Sequence, residues 1–436
     1  MPNPFFVGGP VPPEHFVGRA NVVNMAFDQI ASRSHLAVYG SDGMGKSSLL
    51  KFLATPQTWQ ARGLDPSAAF IVYLNCTDVN PFTPSAFWRD VLELLKDKAE
   101  GEAALQTQID EVLEEPAVEK GDLRRVLRKI GQRNKFLILL LDEYDAALRP
   151  NEKYTEAEML TFLSEFRNLA VHSEEGRDLS TIVTSFRRLN ELGPKLTPSG
   201  SPWYNHYLFQ PLKPFTEAEV AESFNRKAAE WALTPTQQDA IKEIADRHPA
   251  LLQQACFLLY NNLHAEHPTT DAREFTRDFA NTTEHFFRDA WAFSTEEEQL
   301  VLMLIALSRL EGRLNQKRQY KLDDADLILS QREHALRDLE ERGVIQHTRE
   351  GGKDIYSFAS SVMEWWVIKQ IENSKDEAEL QQWEKAFLNL SRKQVDQLKN
   401  VVRQVWQHKD AVESIAGWMG KVAGAFFKGV SGGGAN

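Results

Sequence analysis

Tyr39-Gly40-Ser41-Asp42-Gly43-Met44-Gly45-Lys46-Ser47-Ser48-Leu49-Leu50 carries Gly40, Gly45, Lys46 and Ser47 at the spacing G-x-x-x-x-G-K-[ST]. Leu36-Ala37-Val38-Tyr39 precedes the glycines and suits a buried strand, and an apolar run beginning at Leu49-Leu50 suits a helix. Strand, glycine-rich loop and helix in that order make a phosphate loop. The glycines let the backbone curl until successive N–H groups face one anion. The positive end of the following helix adds to the attraction. On this reading Gly40, Ser41, Asp42, Gly43, Met44, Gly45, Lys46, Ser47 and Ser48 form the cradle. Lys46 reaches the β- and γ-phosphates of a nucleotide and Ser47 holds Mg2+. The bland alternative is a glycine-rich turn that binds nothing; the flanking strand and helix weigh against it.

Phe136-Leu137-Ile138-Leu139-Leu140-Leu141-Asp142-Glu143-Tyr144-Asp145 is the second signal. Six apolar residues fit a strand buried on both faces of a parallel sheet. Carboxylates then follow at its C-terminal end, where open α/β sheets bind ligands. Asp142 is the candidate for Mg2+, directly or through water, and Glu143 for polarising the attacking water. Asp145 is weaker, because a third carboxylate serves equally as a loop residue or a cap. Apolar runs predict further strands over 68–74, 181–185 and 207–209. The expected fold is an α/β P-loop NTPase: a five-stranded parallel sheet with helices on both faces, then an all-α lid, a winged helix and a C-terminal helical tail. The expected domains are 1–212, 213–290, 291–372 and 373–436.

Phe16-Val17-Gly18-Arg19, a predicted helix over 20–30 and then the phosphate loop form an order that resembles the STAND and AAA+ group of P-loop ATPases. The lead-in Gly8-Gly9-Pro10-Val11 is similar to that of bacterial STAND-type members. The resemblance implies that Val17, Gly18 and Arg19 line an adenine pocket; the alternative is a plain loop before a helix. It also implies a polar sensor of the γ-phosphate at the end of the strand over 181–185, Thr184 or Ser185, followed by an arginine. Phe186 intervenes here, which leaves open whether Arg187 or Arg188 reaches the nucleotide, and in which subunit. Such an arginine would stabilise charge developing on the phosphates; a surface arginine pair is the other reading. His248-Pro249 looks like the helix start that approaches the base in the lid of this group. Pro249 is equally explained by helix geometry alone.

The resemblance implies ATP and Mg2+ as ligands and a slowly hydrolysing switch. Its nucleotide state would control conformation and self-association into a homo-oligomer, or recruitment of a protein effector. The alternatives are an origin-recognition-like DNA-binding ATPase using the winged helix, and a nucleotide-binding scaffold that does not hydrolyse. The winged helix is predicted from Ser294-Thr295-Glu296-Glu297 as a capping box, helices over 299–310, 322–329 and 331–342, and a hairpin turning at Gly351-Gly352. Arg332, Arg337 and Arg342 on its third helix are offset by Glu333, Asp338, Glu340 and Glu341, which favours a structural or regulatory role over nucleic-acid binding.

Elsewhere, 84–98 reads as an amphipathic helix, 99–120 as a solvated helical insertion, and 156–170 as a helix with one apolar face. The segment 374–410 reads as a packed hairpin or oligomer contact. Over 411–430, Ile415, Trp418, Met419, Val422 and Phe426 share a helical face, with Lys421 and Lys428 elsewhere. That pattern suits either a docked helix or peripheral membrane contact, and two cations on a short helix favour docking.

The 436 residues exceed one compact domain. A net charge of -12 is poorly suited to a broad nucleic-acid face. Two cysteines, Cys76 and Cys256, make no disulfide framework and point to a reducing cytoplasm. Cys76 reads as a packed thiol rather than a nucleophile. The first residues lack a basic start and long apolar core, so no signal peptide is expected. No apolar run is long enough to span a bilayer.

Overall fold

The computed structural model describes residues 2–194, 202–227, 231–265, 272–309 and 325–373. The chain divides into two units. Among the described residues, a sheet unit comprises Pro10–Gly40 and Gly45–Leu212, and a helical unit comprises 2–9, Ser41–Met44 and 213–373.

In the sheet unit, β1 (His35–Tyr39), β2 (Ala69–Asn75), β3 (Phe136–Asp142), β4 (Leu179–Ser185) and β5 (Tyr207–Pro211) form one sheet in the order β2-β3-β4-β1-β5. Every pairing is parallel, as expected of the apolar runs. β1, β3 and β4 are buried along their whole length. Strands covered on both faces have no solvent side to alternate towards, so their sequences are nearly continuous in apolar residues. β2 does alternate. Phe70, Val72 and Leu74 enter the core with Trp88, Val91 and Leu95 of the helix Pro84–Lys98, and Tyr73 and Asn75 lie on the opposite face. The register sets Tyr39 beside Ser185, Leu141 beside Val183 and Asn75 beside Asp142. The C-terminal ends of β1, β3 and β4 therefore share one end of the sheet, where a parallel α/β sheet presents its ligand site.

The segment expected to be a solvated insertion is instead packed. The helix Ala103–Leu113 buries Leu105, Ile109 and Val112, and a second helix, Lys120–Gly131, buries Leu123, Val126, Leu127 and Ile130. Acidic and polar residues outnumber the apolar ones over 99–120, but three residues at helical spacing suffice for a buried stripe.

The helical unit contains Glu217–Lys227, Pro235–Ala245, Pro249–Leu263, Ala272–Ala292, Glu296–Arg309, Ala325–Ser330, Glu333–Glu341 and Ser361–Asn373, with an antiparallel hairpin of β6 (Ile345–Glu350) and β7 (Lys353–Phe358). Its core is organised on Glu296–Arg309, where every residue from Leu300 to Leu307 is buried. A helix apolar on all sides must be surrounded by others. The cap of this helix is one residue later than predicted. The Thr295 N–H donates to Glu298 Oε2 at 2.6 Å and the Glu298 N–H to Thr295 Oγ1 at 3.2 Å. Ser294 turns back instead, donating its hydroxyl to the Ala290 carbonyl at 2.7 Å, a bond that serines near helix ends readily make. The third helix of the predicted winged helix is the shorter Glu333–Glu341. The start of the helix over 322–329 and the tail over 374–436, including the 411–430 segment, lie outside the described residues. Among the described residues, no helix is long and apolar enough to cross a membrane.

Candidate active site

β1 runs directly into the loop. The Gly40 N–H donates to the Ser185 carbonyl at 3.2 Å, tying the start of the loop to the end of β4. A Cβ at Gly40 would stand 2.8 Å from the Leu212 carbonyl oxygen, so the close passage requires glycine. Gly45 has φ +94° and opens the helix Lys46–Ala54. Lys46 is 9% exposed, and its Nζ donates to the Gly40 carbonyl at 2.7 Å, folding the ammonium back over the loop. Ser47, in the first helical turn, is half-buried. Ser48 is used differently: its Oγ accepts the Val11 N–H at 3.1 Å and anchors the lead-in segment.

The tip of the loop, Ser41–Met44, belongs to the helical unit. There the Ser41 N–H donates to the Arg342 carbonyl and the Ala250 N–H donates to the Gly43 carbonyl, each at 3.2 Å. Gly43 has φ +78°, and a Cβ on it would meet His248 Cε1 at 2.6 Å, Ala250 Cβ at 2.7 Å and Phe286 Cε1 at 2.9 Å. His248 caps its own helix, Nδ1 accepting the Leu251 N–H at 3.4 Å, with Pro249 in the first turn.

At the end of β3, Asp142 is 1% exposed, and each of its oxygens receives a hydroxyl. Thr184 Oγ1 donates to Oδ1 at 2.5 Å and Tyr73 Oη donates to Oδ2 at 2.8 Å. The register explains both contacts. Thr184 is one residue beyond the Leu141–Val183 pair, and Tyr73 is the diagonal neighbour of Asp142 on the same face. Burial, then the charge of Asp142, pushes the Tyr73 pKa up, so the phenol keeps its proton and donates. Thr184 Oγ1 in turn accepts the Glu143 N–H at 3.1 Å. Glu143 itself is exposed and has φ +48°. A glutamate in the left-handed region costs on the order of 1 kcal/mol, and such strain gathers at functional sites.

Of the two sensor candidates, the structure brings Thr184 to Asp142. Ser185 turns away, donating its hydroxyl to the Arg187 carbonyl at 2.6 Å. Asp145 accepts the Phe186 N–H at 3.1 Å with each oxygen and so fixes the turn after β4. Its burial raises its pKa, against the Phe186 N–H and the charge of Lys46. Arg187 is 9% exposed and lies 3.6 Å from Glu191, whereas Arg188 donates to Tyr39 Oη at 2.9 Å and covers that ring. Gly18 and Arg19 both have positive φ, 66° and 61°, at the start of Ala20–Ala31. Phe16, just before Val17, stacks on Phe52 of the phosphate-loop helix with 4.5 Å between ring centroids. Cys76 is fully buried and burial pushes its thiol pKa well up, in keeping with a packed thiol.

Tyr73 is the residue that sequence reading missed. Its signal was position: it lies two residues before Asn75, on the face whose register partner is the acidic strand end. Among the described residues, no three His, Cys, Asp or Glu side chains gather as a metal cluster. A hydroxyl and one carboxylate are nevertheless the donors that suit Mg2+, which completes its shell with water and phosphate oxygens. The chemistry of Ser47 and Asp142 fits that ion.

Residues 30–192 match the family described as an AAA domain. A search of curated proteins yields no match. The Walker-type ATPase of Pyrococcus abyssi is similar in structure, with a TM-score of 0.55 and 16% identity over 83% of this chain and 99% of that one. The ORC2 protein of Aeropyrum pernix, solved in ADPNP and ADP complexes, gives a TM-score of 0.46 and 13% identity over 93% of this chain and 97% of that one. At these identities the likeness concerns the fold.

Proposed function

We propose that this chain, whose residues 30–192 form an AAA-type P-loop ATPase domain, binds ATP with Mg2+, hydrolyses it slowly and works as a nucleotide-controlled switch. The observation that carries the reading is the pairing of two features. Lys46 is folded over a glycine loop, and the hydroxyl-bonded Asp142 with the exposed Glu143 stands at the same end of the sheet. A phosphate oxygen would replace the Gly40 carbonyl as the acceptor for Lys46. Ser47 and Asp142 would hold Mg2+, which when bound neutralises phosphate charge. Glu143 orients water towards the γ-phosphate, and Arg187 is the residue assigned to the developing charge. Val17, Gly18 and Arg19 are assigned to the base.

The switch rests on the loop tip. Ser41 and Gly43 make backbone bonds inside the helical unit, and those same residues belong to the loop that orders around phosphate. A ligand biases a conformational equilibrium when its contacts differ between the two states, and Ser41 and Gly43 are where such a difference would act. The expected output is self-association or capture of a protein partner in the cytoplasm. The test is the solution mass of the full chain with Mg2+ and either ATP or ADP. A larger assembly with ATP than with ADP is expected. One mass, with one protease-digestion pattern, in both conditions would refute the switch.

A further inference from the structure

We propose that Tyr73 is a positioning residue for the metal-bearing carboxylate, an assignment that rests on the ATPase reading above. Asp142 can rotate about its terminal bond unless both oxygens are held. Thr184 holds Oδ1 at 2.5 Å from the neighbouring strand β4, and Tyr73 holds Oδ2 at 2.8 Å from β2 on the other side. Oδ1 also accepts the Glu143 N–H at 3.2 Å, and since each carboxylate oxygen can take two donors, it is Oδ2, the oxygen that Tyr73 holds, that keeps acceptor capacity for a metal or its water. The ring of Tyr73 also faces a cation of the phosphate-loop helix. Lys51 Nζ stands 5.8 Å from its centroid, and Lys51 is four residues beyond Ser47, on the same helical face. Packing alone does not call for the hydroxyl, since β2 already places Phe70, Val72 and Leu74 in the core and Tyr73 on the half-buried side. Partners that orient a ligating carboxylate typically govern metal affinity or activity by ten- to a hundredfold when removed.

The test is Tyr73→Phe, which deletes one oxygen and keeps the ring. Three quantities are read on the full-length protein: nucleotide affinity in EDTA, Mn2+ affinity of the complex with a non-hydrolysable ATP analogue by electron spin resonance, and the Mg2+ dependence of phosphate release. Expected are an unchanged affinity in EDTA, a Mn2+ affinity weaker by about tenfold, and phosphate release that recovers at high Mg2+. Mn2+ affinity in Tyr73→Phe equal to the parent's overturns the assignment. Equal loss with and without metal also overturns it, because that marks a structural residue. A parent that binds the analogue and Mn2+ but releases no phosphate leaves the Tyr73 comparison readable while refuting hydrolysis. A parent that binds neither refutes the nucleotide reading and this assignment together.

Discussion

Glu143→Gln is expected to lower the steady rate of phosphate release by roughly a hundredfold or more, the usual worth of a positioned general base, while ATP binding stays within about twofold. The expectation follows from where the side chain stands. Its backbone N–H is fixed by Thr184 Oγ1 at 3.1 Å and its φ is +48°, so the main chain is held while the carboxylate projects into solvent. Glutamine preserves size and leaves the backbone bonds from the Glu143 N–H to Thr184 and Asp142 in place, but it cannot take a proton from water. Thermal melting should therefore match the parent. Phosphate release by the variant within about threefold of the parent would remove Glu143 from the chemistry and favour a scaffold that binds without hydrolysing.

Arg342→Ala is expected to destabilise the helical unit by about 3–5 kcal/mol. Arg342 is 0% exposed, with Nη2 at 2.8 Å from Glu298 Oε1 and Nε at 3.1 Å from Asp338 Oδ2. Glu298 and Asp338 are themselves 2% and 5% exposed. Truncation would leave two carboxylates sequestered from water without their guanidinium, and the resulting desolvation cost is larger than the pair was worth while intact. The urea midpoint of the helical unit's transition, or of the single one if the units melt together, reads this loss. A loss below about 1 kcal/mol would mean that water or local rearrangement replaces the guanidinium. This residue also shows the limit of reading charge from sequence. In the sequence Arg342 is one of three arginines on a predicted third helix, offset by nearby acids, and nothing there marks it as the core residue it is.

Where burial is complete, the sequence announces the fold plainly. β1, β3 and β4 appear as apolar runs because nothing on them faces water, and the glycines of the phosphate loop appear because φ values of +78° and +94° leave few alternatives. Those two patterns locate the sheet, the loop and the acidic strand end. Partial burial hides what they miss. The helix Ala103–Leu113 buries one narrow stripe under a polar surface, so composition alone reads it as solvated. The Thr295–Glu298 cap and the Ser294 back-bond differ by one residue, a choice made by the preceding helix rather than by the motif. Thr184 and Ser185 are equivalent as residue types; only the strand register places one hydroxyl on Asp142 and turns the other away. Tyr73 depends on pairing between strands more than sixty residues apart, and no local pattern encodes that.

The most direct measurement is the affinity of the purified chain for Mg2+–ATP beside that of Lys46→Ala, with the nucleotide that accompanies each through purification identified by mass. Lys46 is predicted to exchange its 2.7 Å bond to the Gly40 carbonyl for phosphate oxygens. The parent should then bind an adenine nucleotide, and the variant should bind it ten- to about a hundredfold more weakly, the range for hydrogen bonds to a charged group. Equal affinity in parent and variant, or no nucleotide binding by the parent, would contradict the site.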